Sequence, residues 1–311
     1  MATDWTADTD TKLALKFEDA AASGTIVDSS TFGDDGTITN NTSVTQGETG
    51  YFDLAVETLA GNNAKATFPG TQADNLSTIS LCVWMFNFSF GSVGTISDKA
   101  CIYSKGYRSG ALGFQTTNQL RWCEHFEGGN AFYDTTDGDC ALDVWQHYAV
   151  SYDRGGSSPS TVPEIYVDGV AQNVTNSGTA PFGVRDDDSA SEIVIFQDSL
   201  DSGETDSVMD ELLVYNGLLD STDINGIMES GIDGTHGLSL EQEGYRWRAD
   251  DNNEASATWL AVQDSNTSVS TNTNTRLRVL INASGDPAAQ TYQLEYRKVG
   301  LTEWRKVTTE L

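Results

Sequence analysis

The 311-residue sequence is poor in proline, in basic residues and in long apolar runs. It has 5 prolines, and 17 lysines and arginines stand against 46 aspartates and glutamates, for a formal net charge of −29. Nucleic-acid binding depends on clustered basic side chains that displace counterions from phosphates. We therefore expect no nucleic-acid partner, and acidity alone is equally typical of solubility, a saline medium or cation sites.

The sequence contains no run of 18 or more apolar residues, so no membrane-spanning helix and no membrane insertion are expected. The first residues, Met1 to Trp5, have neither the basic nor the apolar region of a secretion signal. An extracellular or virion location would then be reached by another route, such as cell lysis or virion assembly.

Cysteine and histidine are also scarce, with four and three copies. The cysteines lack the C-x-x-C and histidine pattern of zinc sites. They are compatible with buried thiols or with two disulfides, and Cys123 with Cys140, which bracket a predicted hairpin, is the preferred pair. No histidine accompanies a G-x-S-x-G motif, so a serine hydrolase is not supported, and His147 is predicted to be structural.

Short alternating strands and polar turns are what the sequence does contain, and they predict an all-β fold. The most apolar run, ISLCVWMFNF at 79–88, is apolar on both faces and predicts a central strand covered on each side. The Asp-Gly pair at 168–169 predicts a type I′ hairpin turn. Residues 221–229 predict a helix, with Ser221 or Thr222 as N-cap and Gly231 as its end.

The length suggests two domains. Residues 1–10 are predicted to form an N-terminal arm, and residues 11–231 the large β domain. The Gly-, Asp- and Ser-rich segment 232–243 is predicted to be a linker. Strand alternation restarts after it, so residues 244–311 are predicted to form a smaller β-sandwich near the lower size limit of independent stability.

Three segments, in this order and spacing, resemble laminin-G-like, concanavalin-A-like jelly rolls: WQHYAVSYD at 145–153, IYVDG at 165–169 and MDELLVYNGLLD at 209–220. LKF at 15–17 and DSS at 28–30 resemble the opening strand and loop of that family. The resemblance covers residues 11–231. It implies a two-sheet sandwich whose rim loops hold calcium and a carbohydrate or protein ligand, most members being binding modules.

The C-terminal segment, with YRWRADD at 245–251, ATWL at 257–260 and RLR at 276–278, resembles small β modules appended to bacteriophage structural proteins. This second resemblance implies contacts with virion or particle proteins. It also implies that the chain is a homo-oligomer or a component of an assembly.

Calcium (Ca²⁺) prefers oxygen ligands, and the first resemblance brings Glu18, Asp28 and Asp210 to neighbouring strand ends. The alternative is that Asp28 and Asp210 cap turns by accepting backbone hydrogen bonds. The acidic run at 186–188 is a second candidate, although such runs are usually solvated loops.

Tyr107, Arg108 and Tyr133 flank glycine-containing turns and are the predicted ligand-binding residues, since sugar rings stack on aromatic side chains. The other aromatic residues of the strands are predicted to be core residues. These are Trp84, Phe126, Phe132, Trp145, Trp247 and Trp259.

Glucanases of the same fold use two carboxylates on one strand in an E-x-D-x-E or E-x-D-x-x-E pattern. Here Glu204 and Asp206 are followed by no carboxylate at either final position, because Asp210 comes too late. The chain is therefore predicted not to be an enzyme.

Taken together, the sequence predicts a non-enzymatic adhesin or decoration protein of a phage-like virion that binds a glycan or a host cell-surface protein. Three alternatives remain: a secreted carbohydrate-binding module of a larger enzyme system, a particle protein without a ligand, and a glucanase.

Overall fold

Alternating segments separated by polar turns fold into 21 strands and one α-helix within the part of the chain that the structure describes. The structure is a computed structural model and describes residues 3–21, 23–39, 41–59, 63–90, 100–106, 109–116, 118–136, 138–154, 161–178, 183–198, 203–236, 239–251, 258–270, 273–284, 295–296, 302–303 and 305–306. The chain divides into two units, residues 1–237 and 238–311.

The strands of the first unit are, in chain order, β1 Thr11–Leu15, β2 Thr25–Ile26, β3 Gly36–Thr39, β4 Val44–Thr49, β5 Leu54–Thr58, β6 Lys65–Phe68, β7 Thr78–Ser89, β8 Cys101–Lys105, β9 Ser109–Thr116, β10 Gln119–Phe126, β11 Gly129–Thr135, β12 Trp145–Asp153, β13 Glu164–Val167, β14 Val170–Ala171, β15 Val174–Asn176, β16 Ile193–Ile195 and β17 Asp206–Tyr215. Helix α1 spans Ser221–Ser230, and short 3-10 helices lie at Asn41–Ser43 and Thr71–Ala73. The second unit contains β18 Ser239–Ala249, β19 Thr275–Ser284, β20 Glu295–Tyr296 and β21 Arg305–Lys306.

Two antiparallel sheets form the first unit. The first sheet has the order β14-β13-β12-β7-β17-β5-β4, with β1 also paired to β17, and the second has the order β15-β11-β10-β9-β8-β16-β6-β3-β2. Buried side chains from both sheets share one core. The prediction of an all-β jelly-roll sandwich is confirmed.

Strand β17 has two partners on one side, and its pairing with β7 on the other side shifts in register between Asp210 and Leu213. Its first part pairs with β5 over Ser207–Met209, and its last part pairs with β1. Glu211 lies at the irregularity with a left-handed φ of 53°, a strained conformation for a residue with a side chain. The bulge therefore redirects the two carboxylates at 210 and 211.

A second apolar cluster covers part of the outer face of the first sheet. Helix α1 contributes Ile224 and Ile227, and Trp5 and Ile232 join them. The Trp5 N–H donates to the Ile232 carbonyl at 2.8 Å. Trp5 of the predicted N-terminal arm and Ile232 at the start of the predicted linker at 232–243 are therefore packed in the jelly roll, because their side chains are part of this cluster.

The predicted helix is present, but its N-cap is Asp220 rather than Ser221 or Thr222. The Asp220 carboxylate accepts the N–H groups of Thr222 and Asp223, and Asp223 completes a capping box. Gly231 ends the helix with a φ of 73°, which favours glycine. Within the described ranges, no helix has the length and apolar character needed to cross a membrane.

The second unit begins with β18 at Ser239, inside the predicted linker. The described residues show β18 paired with β19 and β20 paired with β21, each pair antiparallel. The smaller sandwich predicted for residues 244–311 stays a prediction.

Buried charges tie the two sheets together at one end of the sandwich. Arg154, which follows β12, donates to the Glu124 carboxylate on β10 at 2.7 and 3.1 Å. Its guanidinium is also 3.6 Å from Asp188, which pairs with Arg185 at 3.0 Å. The side chains of Arg154, Glu124 and Asp188 are at most 2% exposed, so each buried charge depends on its partners.

We predict that Arg154→Ala lowers the free energy of unfolding by about 3–5 kcal/mol, because it leaves buried carboxylates uncompensated. Asp10→Asn is the control, since it breaks the long 3.9 Å contact of Lys12 with Asp10, whose side chain is 52% exposed, and should cost at most about 1 kcal/mol. Chemical denaturation of the three proteins measures the difference, and equal losses in both variants would contradict the prediction.

Candidate functional site

The outer face of the first sheet changes from buried to exposed along β7. Cys82, Trp84, Phe86 and Phe88 alternate and share this face. Cys82 is fully buried in the cluster under α1, Trp84 is 4% exposed, Phe86 is half-buried and Phe88 is 41% exposed. The expectation that β7 is covered on both sides is therefore wrong for its second half.

We call the surface formed by Tyr51, Trp84, Phe86, Phe88 and Trp145 the aromatic face. Tyr51 stacks on Trp84 with ring centroids 3.5 Å apart and an interplanar angle of 12°. Trp145 lies 6.2 Å from Tyr51 and 5.9 Å from Phe86, edge to face in both cases, and Phe86 lies 5.4 Å from Phe88. The five rings form one continuous strip.

Both ends of the strip reach solvent, because Tyr51 is 39% and Phe88 is 41% exposed. Trp145 is half-buried, although the sequence predicted a core residue, whereas Trp84 is buried beneath Tyr51 as predicted. Exposed aromatic surface of this extent is typical of binding sites. Strand periodicity predicts that the residues of β7 and β12 share one face. It does not predict that the rest of the described chain leaves this face uncovered.

Carboxylates border the aromatic face. One row of residues crosses four neighbouring strands, in the order Trp145, Phe86, Val208 and Glu57. Burial and the nearby carboxylates Glu48 and Asp206 raise the pKa of Glu57. This border supplies hydrogen-bond acceptors beside the rings and disfavours an anionic ligand.

His147 lies beneath Trp84, with ring centroids 5.3 Å apart. It is fully buried, and neither ring nitrogen has a hydrogen-bond partner. Burial lowers the pKa of His147 to about 3, so the ring is neutral. Its position in the packed sheet agrees with the structural role predicted for it.

Asp28, predicted to bind calcium, has both oxygens engaged by its own loop. One oxygen accepts the N–H groups of Ala14 and Ser30, at 3.0 and 2.9 Å. The other accepts the Ser30 hydroxyl at 2.7 Å and the Asp34 N–H at 3.1 Å. Asp28 thus fills the alternative role of a turn-capping residue.

Asp210, also predicted to bind calcium, is fully buried at the bulge of β17, where it accepts the Phe52 N–H at 2.9 Å. Its other oxygen has no hydrogen-bond partner, and the same holds for one oxygen of Glu211. Burial and the neighbouring Glu211 carboxylate raise the pKa of Asp210 to about 9. Burial raises the pKa of Glu211 to about 7.

Glu18, the third predicted ligand, accepts the Leu54 N–H at 3.2 Å, and burial raises its pKa. Among the described residues, no three His, Cys, Asp or Glu side chains are grouped so that they could hold a metal ion. The arrangement does not fit calcium bound jointly by Glu18, Asp28 and Asp210, because Asp28 is saturated by backbone donors. Calcium binding itself stays a prediction.

The second candidate, the acidic run at 186–188, is neither a metal group nor a freely solvated loop. The Asp186 carboxylate contacts the Nδ1 atom of His125, and Asp187 accepts a hydrogen bond from Asn75 at 2.7 Å. Asp188 is buried in the ion-pair network described above. The three carboxylates hold neighbouring segments together.

The predicted ligand residues Tyr107 and Arg108 lie outside the described residues. Tyr133 is fully buried in the core, and its hydroxyl is 3.1 Å from that of Tyr152. The prediction for Tyr133 is therefore wrong, because β11 turns this side chain between the sheets. Phe126 is a core residue as predicted, and Phe132 is half-buried and packs against the small cluster of Cys101, Ala111 and Cys123.

All four cysteines are buried thiols, so the predicted disulfide between Cys123 and Cys140 is wrong. Burial raises the pKa of the Cys82 thiol and raises that of Cys140 to about 12. Thiols in such environments are unreactive.

The carboxylates compared with the glucanase pattern have separate surroundings. Glu204 is 6% exposed and accepts from Gln197 at 3.4 Å, and Asp206 accepts the Ser89 hydroxyl at 2.8 Å. A groove of about 660 Å³ beside the β13–β14 hairpin contains Glu164 and Asp220. Glu164 there accepts the Tyr166 hydroxyl and Asp220 caps α1, so both carboxylates have structural partners.

The two antiparallel sheets and their shared core define a jelly-roll β-sandwich. The chain belongs to the family described as the concanavalin A-like lectin/glucanases superfamily (Laminin_G_3), whose profile matches residues 60–225, just over half of the 311 residues. Comparison with curated proteins gives no match.

Two solved structures are similar in fold. The binding domain of Paraclostridial Mosquitocidal Protein 1 is 11% identical with a TM-score of 0.50, over 77% of this chain and 58% of that one. The binding domain of botulinum neurotoxin DC, in complex with rat synaptotagmin II, is 13% identical with a TM-score of 0.50, over 77% and 57%. The chain thus spans less than two thirds of either structure.

The raised pKa values of Asp210 and Glu211 predict a pH dependence of stability. The folded chain keeps these protons after the unfolded chain has lost them, so stability is lost as pH rises from about 4 towards about 9. Each group changes the free energy of unfolding by at most about 1.4 kcal/mol per pH unit. Asp210→Asn removes one of these groups.

We expect the melting temperature of Asp210→Asn to fall less between pH 5 and 9 than that of the unaltered chain. Asp139→Asn, at an exposed aspartate, is the control and should follow the unaltered chain. Parallel pH profiles for all three proteins would contradict the assignment.

Proposed function

We propose that this chain is a non-enzymatic surface-binding module that recognises a glycan or protein through the aromatic face. The observation that carries the proposal is the strip of five rings, exposed at Tyr51 and Phe88, on an otherwise packed sheet. Large, rigid aromatic side chains supply contact area with little loss of conformational entropy, which suits them to recognition.

Chemistry favours a glycan at this surface. Sugar rings present apolar C–H faces that stack on aromatic rings, and their hydroxyl groups donate to carboxylates. The aromatic face offers Tyr51 and Phe88 at its exposed ends, and the carboxylates of Asp206 and Glu57 belong to the neighbouring strands β17 and β5. These carboxylates would repel sulfated or uronic sugars, so the proposed ligand is an uncharged glycan.

The fold neighbours are consistent with this role. One is a binding domain of a mosquitocidal protein, and the other is a neurotoxin binding domain crystallised with synaptotagmin II. Protein recognition is therefore the second candidate for the same aromatic face. A host cell-surface protein would bury the exposed rings as the centre of an interface.

Attachment to a phage-like particle through the second unit is part of the proposal, with a secreted carbohydrate-binding module as the alternative. What supports it is the resemblance of residues 245–251, 257–260 and 276–278 to small phage modules. Co-sedimentation of the chain with virions of its own source, with release of residues 1–237 after cleavage between the units, would support particle attachment.

We predict that Tyr51→Ala and Phe88→Ala each weaken glycan binding by about 1–2 kcal/mol, roughly five- to thirtyfold in the dissociation constant. Phe32→Ala is the matched control, because Phe32 is a comparably exposed aromatic residue, 44% exposed, beside Lys12 and away from the aromatic face. A glycan array and a cell-binding assay with the unaltered chain identify the ligand, and calorimetry then compares the variants.

Binding that is insensitive to both aromatic variants would place recognition elsewhere. Thermal melts of each variant separate loss of binding from loss of folding. Absence of binding to glycans and to host surfaces would leave a structural particle protein without a ligand.

The non-enzymatic assignment predicts no product from β-glucans, other polysaccharides or ester substrates, since Glu204 and Asp206 lack the carboxylate pattern of the glucanases. Incubation followed by chromatography of the products tests this directly. Turnover that disappears in Glu204→Gln or Asp206→Asn would show that the chain is a glucanase.

A further inference from the structure

Four arginines form a block on one face of the β18–β19 hairpin. Arg246 is directly opposite Arg278, and Arg248 is directly opposite Arg276. Like charges that face each other across antiparallel strands are destabilising. The second unit therefore needs negative charge on this face.

Arg248 and Arg276 have carboxylate partners within the unit. Arg248 pairs with Asp251 at 3.0 Å, and Arg276 pairs with Asp250 at 2.7 Å. The acidic residues that follow β18 thus neutralise the end of the hairpin that carries Arg248 and Arg276.

The other pair, Arg246 and Arg278, lies over the Trp259 ring, with guanidinium carbons 4.2 and 5.6 Å from the ring centroid. Arg246 donates its Nε–H to the Ala261 carbonyl at 3.0 Å. Within the described residues Arg246 forms no ion pair with a carboxylate. The indole holds both cations side by side and leaves the terminal nitrogens of Arg246 available for a bidentate acceptor.

A pocket of about 230 Å³ opens between these side chains. Arg246, Arg278 and Gln263 supply hydrogen-bond donors, and Tyr245, Trp259 and Leu280 supply apolar wall. The volume is below the roughly 300–1,000 Å³ of drug-sized sites, so it suits a single small ring. An inorganic oxyanion would leave the apolar wall without a partner.

The charge of the chain is distributed unevenly around this site. Residues 238–311 contain eight of the 17 basic residues but ten of the 46 acidic ones. An anion therefore meets far less repulsion at the second unit than at the first, whose aromatic face is bordered by carboxylates.

We propose that the pocket between Arg246, Trp259 and Arg278 binds the carboxylate of an acidic sugar, such as a uronic acid residue of a glycan. The Arg246 guanidinium holds the carboxylate, Arg278 adds positive charge beside it, and the sugar ring contacts Trp259 and Leu280. Arginine forks match the geometry of a carboxylate, and such charge-assisted bonds are about twice as strong as neutral ones. The site uses none of the residues of the aromatic face and does not depend on the function proposed for it.

Calorimetry of the full chain with tetragalacturonate tests the proposal, with a neutral tetrasaccharide and inorganic sulfate as comparison ligands. We expect saturable binding of the acidic sugar that weakens with added salt. Arg246→Gln and Arg278→Gln should each raise the dissociation constant about tenfold or more. Arg276→Gln is the matched control on the same face and should bind like the unaltered chain, as should Tyr51→Ala.

Several outcomes would overturn the proposal. Absence of saturable binding, or equal affinity in Arg246→Gln and Arg276→Gln, would remove the site. Equal binding of sulfate would make the ligand an inorganic oxyanion. Self-association that Arg246→Gln abolishes would identify the occupant as an acidic surface of a second copy of this chain.

Arg246→Lys separates geometry from charge, because it keeps the charge and removes the fork. We expect intermediate affinity for tetragalacturonate, and affinity equal to that of the unaltered chain would overturn the bidentate contact. Unchanged thermal melts of the second unit show that each variant is folded.

Discussion

The structure depends on one strand that is apolar on both faces. Strand β7 lies next to β12 and β17 in the first sheet, and its inner residues, such as Leu81 and Val83, enter the core between the sheets. A two-layer sandwich buries one face of each sheet, so the other face of β7 needs a cover. Helix α1, Trp5 and Ile232 cover the beginning of the strand, and its second half becomes the aromatic face.

Basic residues are scarce, and the buried ones described in the first unit have structural roles. Arg154 and Lys105 are almost fully buried, Arg154 with Glu124 and Lys105 with the Asp74 carboxylate and backbone carbonyls. Where no cation is within reach, as for Asp210, burial favours the protonated carboxyl instead. The surface keeps its unneutralised acids, which is why the border of the aromatic face is acidic.

Local pattern was sufficient to predict the elements with strong periodicity. The strand at 145–153 and the Asp168–Gly169 turn, with φ values of 49° and 72°, occur as the sequence indicates. Short polar strands such as β4 have no such signal, because they lie at a sheet edge and bury few side chains. An aspartate can serve either as a turn cap or as a metal ligand, so the residue type at position 28 does not decide between these roles. The positions of the Ala14 and Asp34 amides show that Asp28 is a turn cap.

The aromatic face shows why exposed aromatic surfaces are harder to predict than cores. Trp84 and Trp145 have the same strand pattern, yet one is buried beneath Tyr51 and the other reaches the surface. The difference arises from Tyr51, which reaches the sheet from the loop between β4 and β5 and has no periodic relation to β7. In the second unit, Trp259 is likewise predicted from the sequence to be a core residue. Arg246 and Arg278 face each other across two strands, and both guanidiniums lie over the Trp259 ring. The aromatic face and the ring of Trp259 with its two arginines are therefore formed where distant segments meet, and sequence periodicity describes each segment separately.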